Sequence, residues 1–280
     1  MIALRFHLLA AALCAAITAI PAQAQEAEDR SSLTIGVGAA YVPSYDGSDD
    51  YIAVPVAAAR GKVNDFAFWT RGTSLYVDAI PNTDPNGWDI ELGPAVNVNL
   101  TRTRRIRDPQ VRALGKLDTA IEVGGFVGLG KTGVITSDYD NLSVRVSWTK
   151  DAGGAHKSYV ITPAIEYMTP LSTTTFVGVG ASAEYVGKGY GRYYYDVDAA
   201  GSLASGLPVY TGAGDDSGFK KVSMNLIAGH SLSGDLRKGW TIFALGGYQK
   251  MLGDYKRAPI VDIAGSSNQW IAAIGIGYTF

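Results

Sequence analysis

From Trp88 to Thr101 the chain alternates without a break. Trp88, Ile90, Leu92, Pro94, Val96, Val98 and Leu100 take one side; Asp89, Glu91, Gly93, Ala95, Asn97, Asn99 and Thr101 take the other. In an extended strand successive side chains point to opposite faces, so this segment has one wholly apolar face and one polar or small face. A helix would scatter the same apolar residues around its whole circumference. The pattern recurs. Leu142, Val144, Val146 and Trp148 oppose Ser143, Arg145, Ser147 and Thr149, and Ile121, Val123, Val127 and Leu129 oppose Glu122, Gly124, Phe126 and Gly128. The stretches around Leu33–Tyr41, Tyr159–Tyr167 and Phe176–Tyr185 alternate in the same way.

What the apolar faces touch decides the fold. In a sandwich they pack against a second sheet; in a membrane barrel they face lipid, and the polar or small set fills the lumen. The segments are about ten residues long, enough for a tilted strand to cross a bilayer, where soluble strands average about five or six. Aromatic residues (Tyr41, Trp88, Trp148, Tyr159, Tyr167, Tyr185, Trp270) stand at segment ends, as interfacial girdles require. Charge is nearly absent from the apolar faces, and charged residues make up only 18% of the chain, against about 25% in an average soluble domain. The expected fold is therefore all-β, a transmembrane antiparallel up-and-down barrel.

Strands are expected at 32–42, 51–60, 65–71, 74–80, 88–101, 118–130, 141–150, 158–168, 174–186, 220–232, 240–249 and 269–280. That makes about 12, an even number that puts both termini on one side. The short pair 65–71 and 74–80 is the weak point, with 10 as the alternative. Loops 43–50, 102–117 and 187–219 then lie on the outer side.

Residues 1–24 read as a signal peptide: Arg5, an apolar run from Leu8 to Ile20, and the small-x-small pattern Ala22-Gln23-Ala24. Cys14, the one cysteine, lies in that run behind Leu13, where a lipoprotein signal needs a small residue. Residues 25–280 form one barrel domain, held without disulfides. Removing Arg5 leaves 23 basic against 26 acidic residues, a balance of −3 that offers nucleic acid no attraction. The last strand closes on Phe280, a terminal aromatic of the kind the bacterial barrel-assembly machinery reads, so the expected location is the cell outer membrane.

Catalytic, cofactor and metal sites are not expected. His156 and His230 are the histidines beyond residue 24, with no Gly-x-Ser-x-Gly elbow and no metal-ligand spacing. His156 reads as a solvated loop residue, His230 as an outward residue near a strand end. Tyr45–Asp50 reads as a polar surface turn. Arg102, Arg104, Arg105 and Arg107 follow a strand directly; on the outer side they would meet the phosphates of lipopolysaccharide, or simply be solvated. The lumen-facing charges are Asp89, Glu91, Glu122, Glu166 and Glu184 against Arg145. They either pair with Arg145 and strand-end basic residues or meet water, and in an open lumen an acidic excess favours cations. Inner-face glycines such as Gly36 and Gly275 leave room for large side chains or for a water path.

Gly38-Ala-Ala-Tyr41-Val-Pro-Ser-Tyr45-Asp-Gly-Ser-Asp49, Tyr190-Gly-Arg-Tyr-Tyr-Tyr195, Ala258-Pro-Ile-Val261 and Gly277-Tyr-Thr-Phe280 resemble segments of the MipA/OmpV family (MltA-interacting protein). The resemblance spans nearly the whole chain beyond the leader; where family members often read Ser-Pro-Ile-Val, this chain has Ala258. It implies a non-enzymatic outer-membrane barrel acting as a scaffold between a lytic transglycosylase and a murein synthase. Short periplasmic turns such as Asn82–Asn86 offer little area for a large interface. The alternatives are a small cation-preferring diffusion channel and, third, a hydrolase.

Overall fold

The computed structural model describes residues 32–63, 66–82, 87–103 and 105–280; the expected leader and Arg104 lie outside these. Twelve strands are present: β1 Ser32–Pro43, β2 Tyr51–Val63, β3 Phe66–Arg71, β4 Ser74–Asp78, β5 Trp88–Asn99, β6 Ala120–Thr132, β7 Asn141–Asp151, β8 Tyr159–Pro170, β9 Thr175–Val186, β10 Gly218–Ser231, β11 Gly239–Met251 and β12 Asn268–Thr279. Each pairs antiparallel with its sequence neighbours, and β1 pairs with β12, so the sheet closes into a barrel. Closure leaves no strand edge over most of the wall, which a bilayer demands because lipid cannot satisfy a free N–H or C=O. The doubtful pair β3 and β4 does belong to the wall, although the strands have only 6 and 5 residues.

The alternation sorts as expected. Val37, Ile90, Leu92, Val144, Trp148 and Ile274 are exposed outward, while Ser143, Arg145, Ser147 and Thr149 on the opposite face of β7 are buried. Aromatic pairs mark both rims: Tyr41 stacks on Tyr51 and Tyr248 packs on Trp270 at the long-loop end, and Trp240 meets Tyr278 at the other. A cation on such a belt costs about 2–4 kcal/mol at the bilayer midplane, which accounts for the scarcity of charge there. Inside, Gly36 and Gly275 make room for the Phe243 ring, which would lie 3.2 and 2.4 Å from a Cβ added at either position. At least here, glycine serves a packed side chain rather than a water path.

By the usual rule for bacterial barrels the end holding the termini and short turns is periplasmic and the long-loop end is outer. Among the described residues the outer loops carry six short helices: α1 Pro109–Ala113, α2 Lys188–Tyr194, α3 Ala199–Ser205, α4 Gly212–Asp215, α5 Gly253–Arg257 and α6 Pro259–Asp262. Local chemistry starts and stops them. The Asp108 carboxylate accepts from the Val111 N–H at 2.8 Å, with Pro109 at the first helical position. Asp198 caps α3 likewise, and Gly206 ends it in the left-handed region at φ 72°. These loops do not wave in solvent. Tyr45, Val111, Tyr190, Tyr194, Tyr195, Leu207, Tyr255, Ile260 and Val261 form one buried cluster, a plug seated in the outer mouth. The Tyr45–Asp50 turn is therefore no surface turn: Tyr45 is buried and its hydroxyl donates to the carbonyls of Ile260 (2.9 Å) and Ala264 (2.6 Å).

Candidate functional site

Beneath the plug lies a cluster of four charges that strict alternation could not have assembled. Lys220 and Lys221 are adjacent in β10, yet both side chains face inward. The pairing of β10 with β9 slips between Phe219 and Lys221, a β-bulge that turns two successive residues to one side. Lys220 Nζ lies 2.7 Å from Asp46 Oδ2 and 2.6 Å from Glu184 Oε2, and it donates to the Tyr190 hydroxyl at 3.0 Å. Lys221 Nζ reaches the other oxygens of the same two carboxylates at 3.0 and 3.2 Å. Burial alone would raise the Asp46 pKa; the two ammonium groups outweigh it and hold the carboxyl well below the ordinary range. Burial pushes the Tyr190 phenol well up and that of Tyr255 to about 12, so both stay protonated and neutral. At α2 the plug is tight enough that a Cβ on Gly191 would fall 1.7 Å from the Ala213 carbonyl oxygen.

His156, read from sequence as solvated, is buried instead. Its loop folds back over the barrel, and Nε2 sits 3.2 Å from Glu122 Oε1. The Ser158 N–H donates to Nδ1 at 3.2 Å, so Nδ1 is the acceptor and Nε2 carries the proton toward Glu122. Glu122 is completed by the amides of Asn97 (3.0 Å) and Asn99 (3.3 Å) and the Thr149 hydroxyl (3.3 Å). His230 is exposed near the periplasmic end, its Nδ1 2.8 Å from the Thr175 hydroxyl.

Lower in the lumen, Arg145 stands between two carboxylates and two rings. It lies 3.9 Å from Glu91 and 3.6 Å from Glu166, distances of ion pairs rather than hydrogen bonds. Its guanidinium covers Tyr76 at 4.8 Å and Trp69 at 5.5 Å. These rings stack on each other, with Phe126 edge-on to both. Arg71 makes the second ion pair of Glu166. Asp89, nearer the periplasm, takes a hydrogen bond from Asn82 and faces Lys62. The six lumen charges thus lie at three levels, with cationic partners from Arg71, Lys220 and Lys221 that were not singled out in the sequence.

The basic run divides. Arg102 turns inward, buried, and donates to the Tyr194 carbonyl at 2.8 Å, so its guanidinium is not offered to the exterior. Arg105 and Arg107 remain exposed, and Arg104 is outside the described residues.

A protein-family model described as the MltA-interacting protein MipA matches residues 35–280. The chain belongs to that family. The match runs from β1 to the last residue, the whole barrel and its plug together. Several segments that carry the MipA/OmpV resemblance contribute to the plug, among them the turn at Tyr45, α2 with Tyr195, and Ala258–Val261. Among solved structures the chain is similar to the NanC porin (10% identity, 87% of this chain and 98% of that one, TM-score 0.48). It is also similar to an outer-membrane channel from Pseudomonas putida F1 (9% identity, 94% and 97%, TM-score 0.46). No curated protein matches the sequence. Family and barrel together make this MipA-family chain an outer-membrane barrel protein.

Proposed function

We propose that the protein is a plugged, non-catalytic barrel that holds a periplasmic peptidoglycan-remodelling enzyme, a lytic transglycosylase, against the outer membrane. The observation that carries this is the plug: Lys220, Glu122, His156 and Gln269 beneath it are all sealed from solvent. A barrel stoppered at its outer mouth serves better as an anchor than as a conduit. The family's description as MltA-interacting supplies the class of partner. Both histidines among the described residues are engaged, His156 by Glu122 and Ser158 and His230 by Thr175, which supports a role without catalysis.

The periplasmic surface offers one preorganised contact. In the turn between β6 and β7, the Asp140 carboxylate accepts from the N–H groups of Val134 (2.6 Å) and Ile135 (2.9 Å), and from the Tyr167 hydroxyl (2.8 Å). Burial works against ionisation, but these donors and the Thr136 N–H hold its pKa well below the ordinary range. So fixed, the turn presents Ile135 and Tyr139 to solvent, the tyrosine 79% exposed. Aromatic and aliphatic side chains on a rigid knuckle are the material of binding hot spots.

The test is a pull-down from outer membranes with the full-length protein, scored for murein enzymes against an unrelated barrel. The wild type is expected to enrich a lytic transglycosylase, and the double substitution Ile135→Asp with Tyr139→Ser to lower recovery at least tenfold without changing the heat-modifiable band of the folded barrel. Recovery no greater than from the control barrel would remove the adaptor role. A steady open current from the intact protein in planar bilayers would replace it with the channel.

A further inference from the structure

The barrel wall has a notch. β2 is paired with β1 along its length but with β3 only over Arg60–Val63, whereas the hairpin holds β5 from Leu92 to Val98 through the β4 ladder and the flanking bonds Ala79 N–H to Leu92 C=O and Val98 N–H to Thr73 C=O. The β3–β4 hairpin turns at Gly72–Thr73, level with the end of β5, so among the described residues no strand pairs with the Tyr51–Ala58 stretch of β2 on that side, which leaves a gap in the sheet. The edge of β2 facing this gap can be identified. Ala59 N–H and C=O meet the Thr70 hydroxyl at 3.0 and 3.3 Å, and Ala53 C=O accepts from Arg105 at 3.0 Å. Backbone groups alternate along a strand, so Pro55 and Ala57 face the gap as well. Proline has no N–H to leave unsatisfied, which is why it is tolerated on an open edge.

Two features of the notch point to the same kind of ligand. First, Ile52–Ala59 is apolar on both faces, with Ile52, Val54, Val56 and Ala58 on the lumen side, where β7 carries Ser143, Arg145, Ser147 and Thr149. Second, a groove of about 710 Å³ opens at its top, lined by Ile52, Ala53 and Ile106 together with Arg105, Arg107 and Arg112. Asp50 is the one acid in the lining, so the arginines leave a cationic excess. The stacked pair Tyr41–Tyr51 beside it sets the level at the outer interface, where headgroups lie.

We propose that the notch binds one phosphorylated acyl glycolipid of the outer leaflet, of the lipid A class. Its phosphate sits on Arg107 and Arg112, and an acyl chain lies against the outward apolar face of β2 at Ala53, Pro55 and Ala57. Arg105 bridges the two parts by holding the loop to Ala53. Arginine suits the task because its planar fork matches two phosphate oxygens and stays charged. The site differs from a general reading of the basic run: Arg102 has no part in it, and Arg112 does. The proposal is independent of the adaptor role, since it concerns the opposite face of the membrane.

The experiment is native mass spectrometry of the full-length protein in detergent, incubated separately with bisphosphorylated lipid A, dephosphorylated lipid A and inorganic phosphate. The wild type is expected to retain one lipid A. Arg107→Ser with Arg112→Ser lowers retention at least tenfold, dephosphorylated lipid A is retained as poorly, and millimolar phosphate does not displace the bound lipid. Ala57→Trp, which leaves every arginine in place but fills the outward face of β2, lowers retention too; Arg257→Ser, on another outer loop, does not. Undiminished retention by the double variant, equal retention of the dephosphorylated lipid, or displacement by phosphate would each overturn the assignment.

Discussion

Lys220→Met is expected to unseat the outer plug while the barrel stays closed. Lys220 is 1% exposed and is shared by Asp46 from the first outer loop, Glu184 from β9 and Tyr190 from α2. Removing it leaves two half-buried carboxylates with one ammonium, Lys221, between them. Breaking a buried ion pair in this one-sided way costs about 3–5 kcal/mol, because the remaining charge is stranded away from water. At about 1.4 kcal/mol per decade, local opening of the plug rises by roughly two orders of magnitude or more. The wall does not share the loss, since its hydrogen bonds run strand to strand. Protease in the outer medium is therefore expected to cut within 187–217 in the variant and not in the wild type, with the barrel fragments still migrating as a folded species. Acid should act at the same point. The Asp46 pKa is depressed in the fold, so its contribution is complete above the ordinary aspartate range, about pH 4, and is lost as pH falls below it. Equal cleavage rates for variant and wild type at neutral pH would show that the four charges do not latch the plug.

Much of this was legible in the sequence, and what was not has a local cause. Period-two alternation and strand length marked the lumen face of β1, β5 to β9 and β12, because one face meets lipid and tolerates no charge. Glu122, Arg145, Glu166 and Glu184 point inward as their parity demands. Lys220 escaped because the bulge at Phe219 breaks parity for one residue, and nothing in Phe219-Lys-Lys-Val222 announces a bulge. The plug was illegible for another reason. Its segments are rich in Gly, Tyr, Ser and Asp, a composition shared by solvated loops, and their burial depends on contacts between loops remote in sequence, such as Tyr45 with Ile260. Alternation has no counterpart there. His156 was misread in the same way: a histidine beside Gly153 and Gly154 reads as solvated until the loop is seen folded onto Glu122. The notch left a trace in Pro55 and in the shortness of β3 and β4, but only the register shows that the two coincide.

Arg145 gives the second large effect, and a double substitution separates its charge from its bulk. Arg145→Met keeps the volume against Trp69 and Tyr76 but strands Glu91, which lies 3.9 Å away. Glu166 is less affected, since Arg71 still pairs with it. The single variant is expected to lose about 3 kcal/mol or more, read as a fall in the urea midpoint of the barrel in lipid vesicles. Adding Glu91→Gln removes the stranded charge, and replacing both members of a buried pair is often close to neutral. The double variant should therefore recover most of the loss, giving a coupling well above the few tenths of a kcal/mol seen between independent sites. Arg145→Lys is expected to fall between, since an ammonium keeps the charge but loses the planar stacking over the rings. If Arg145→Met and Glu91→Gln proved additive, the guanidinium would be packing matter, and the balance of charge at this level of the lumen would rest on Arg71 with Glu166 alone.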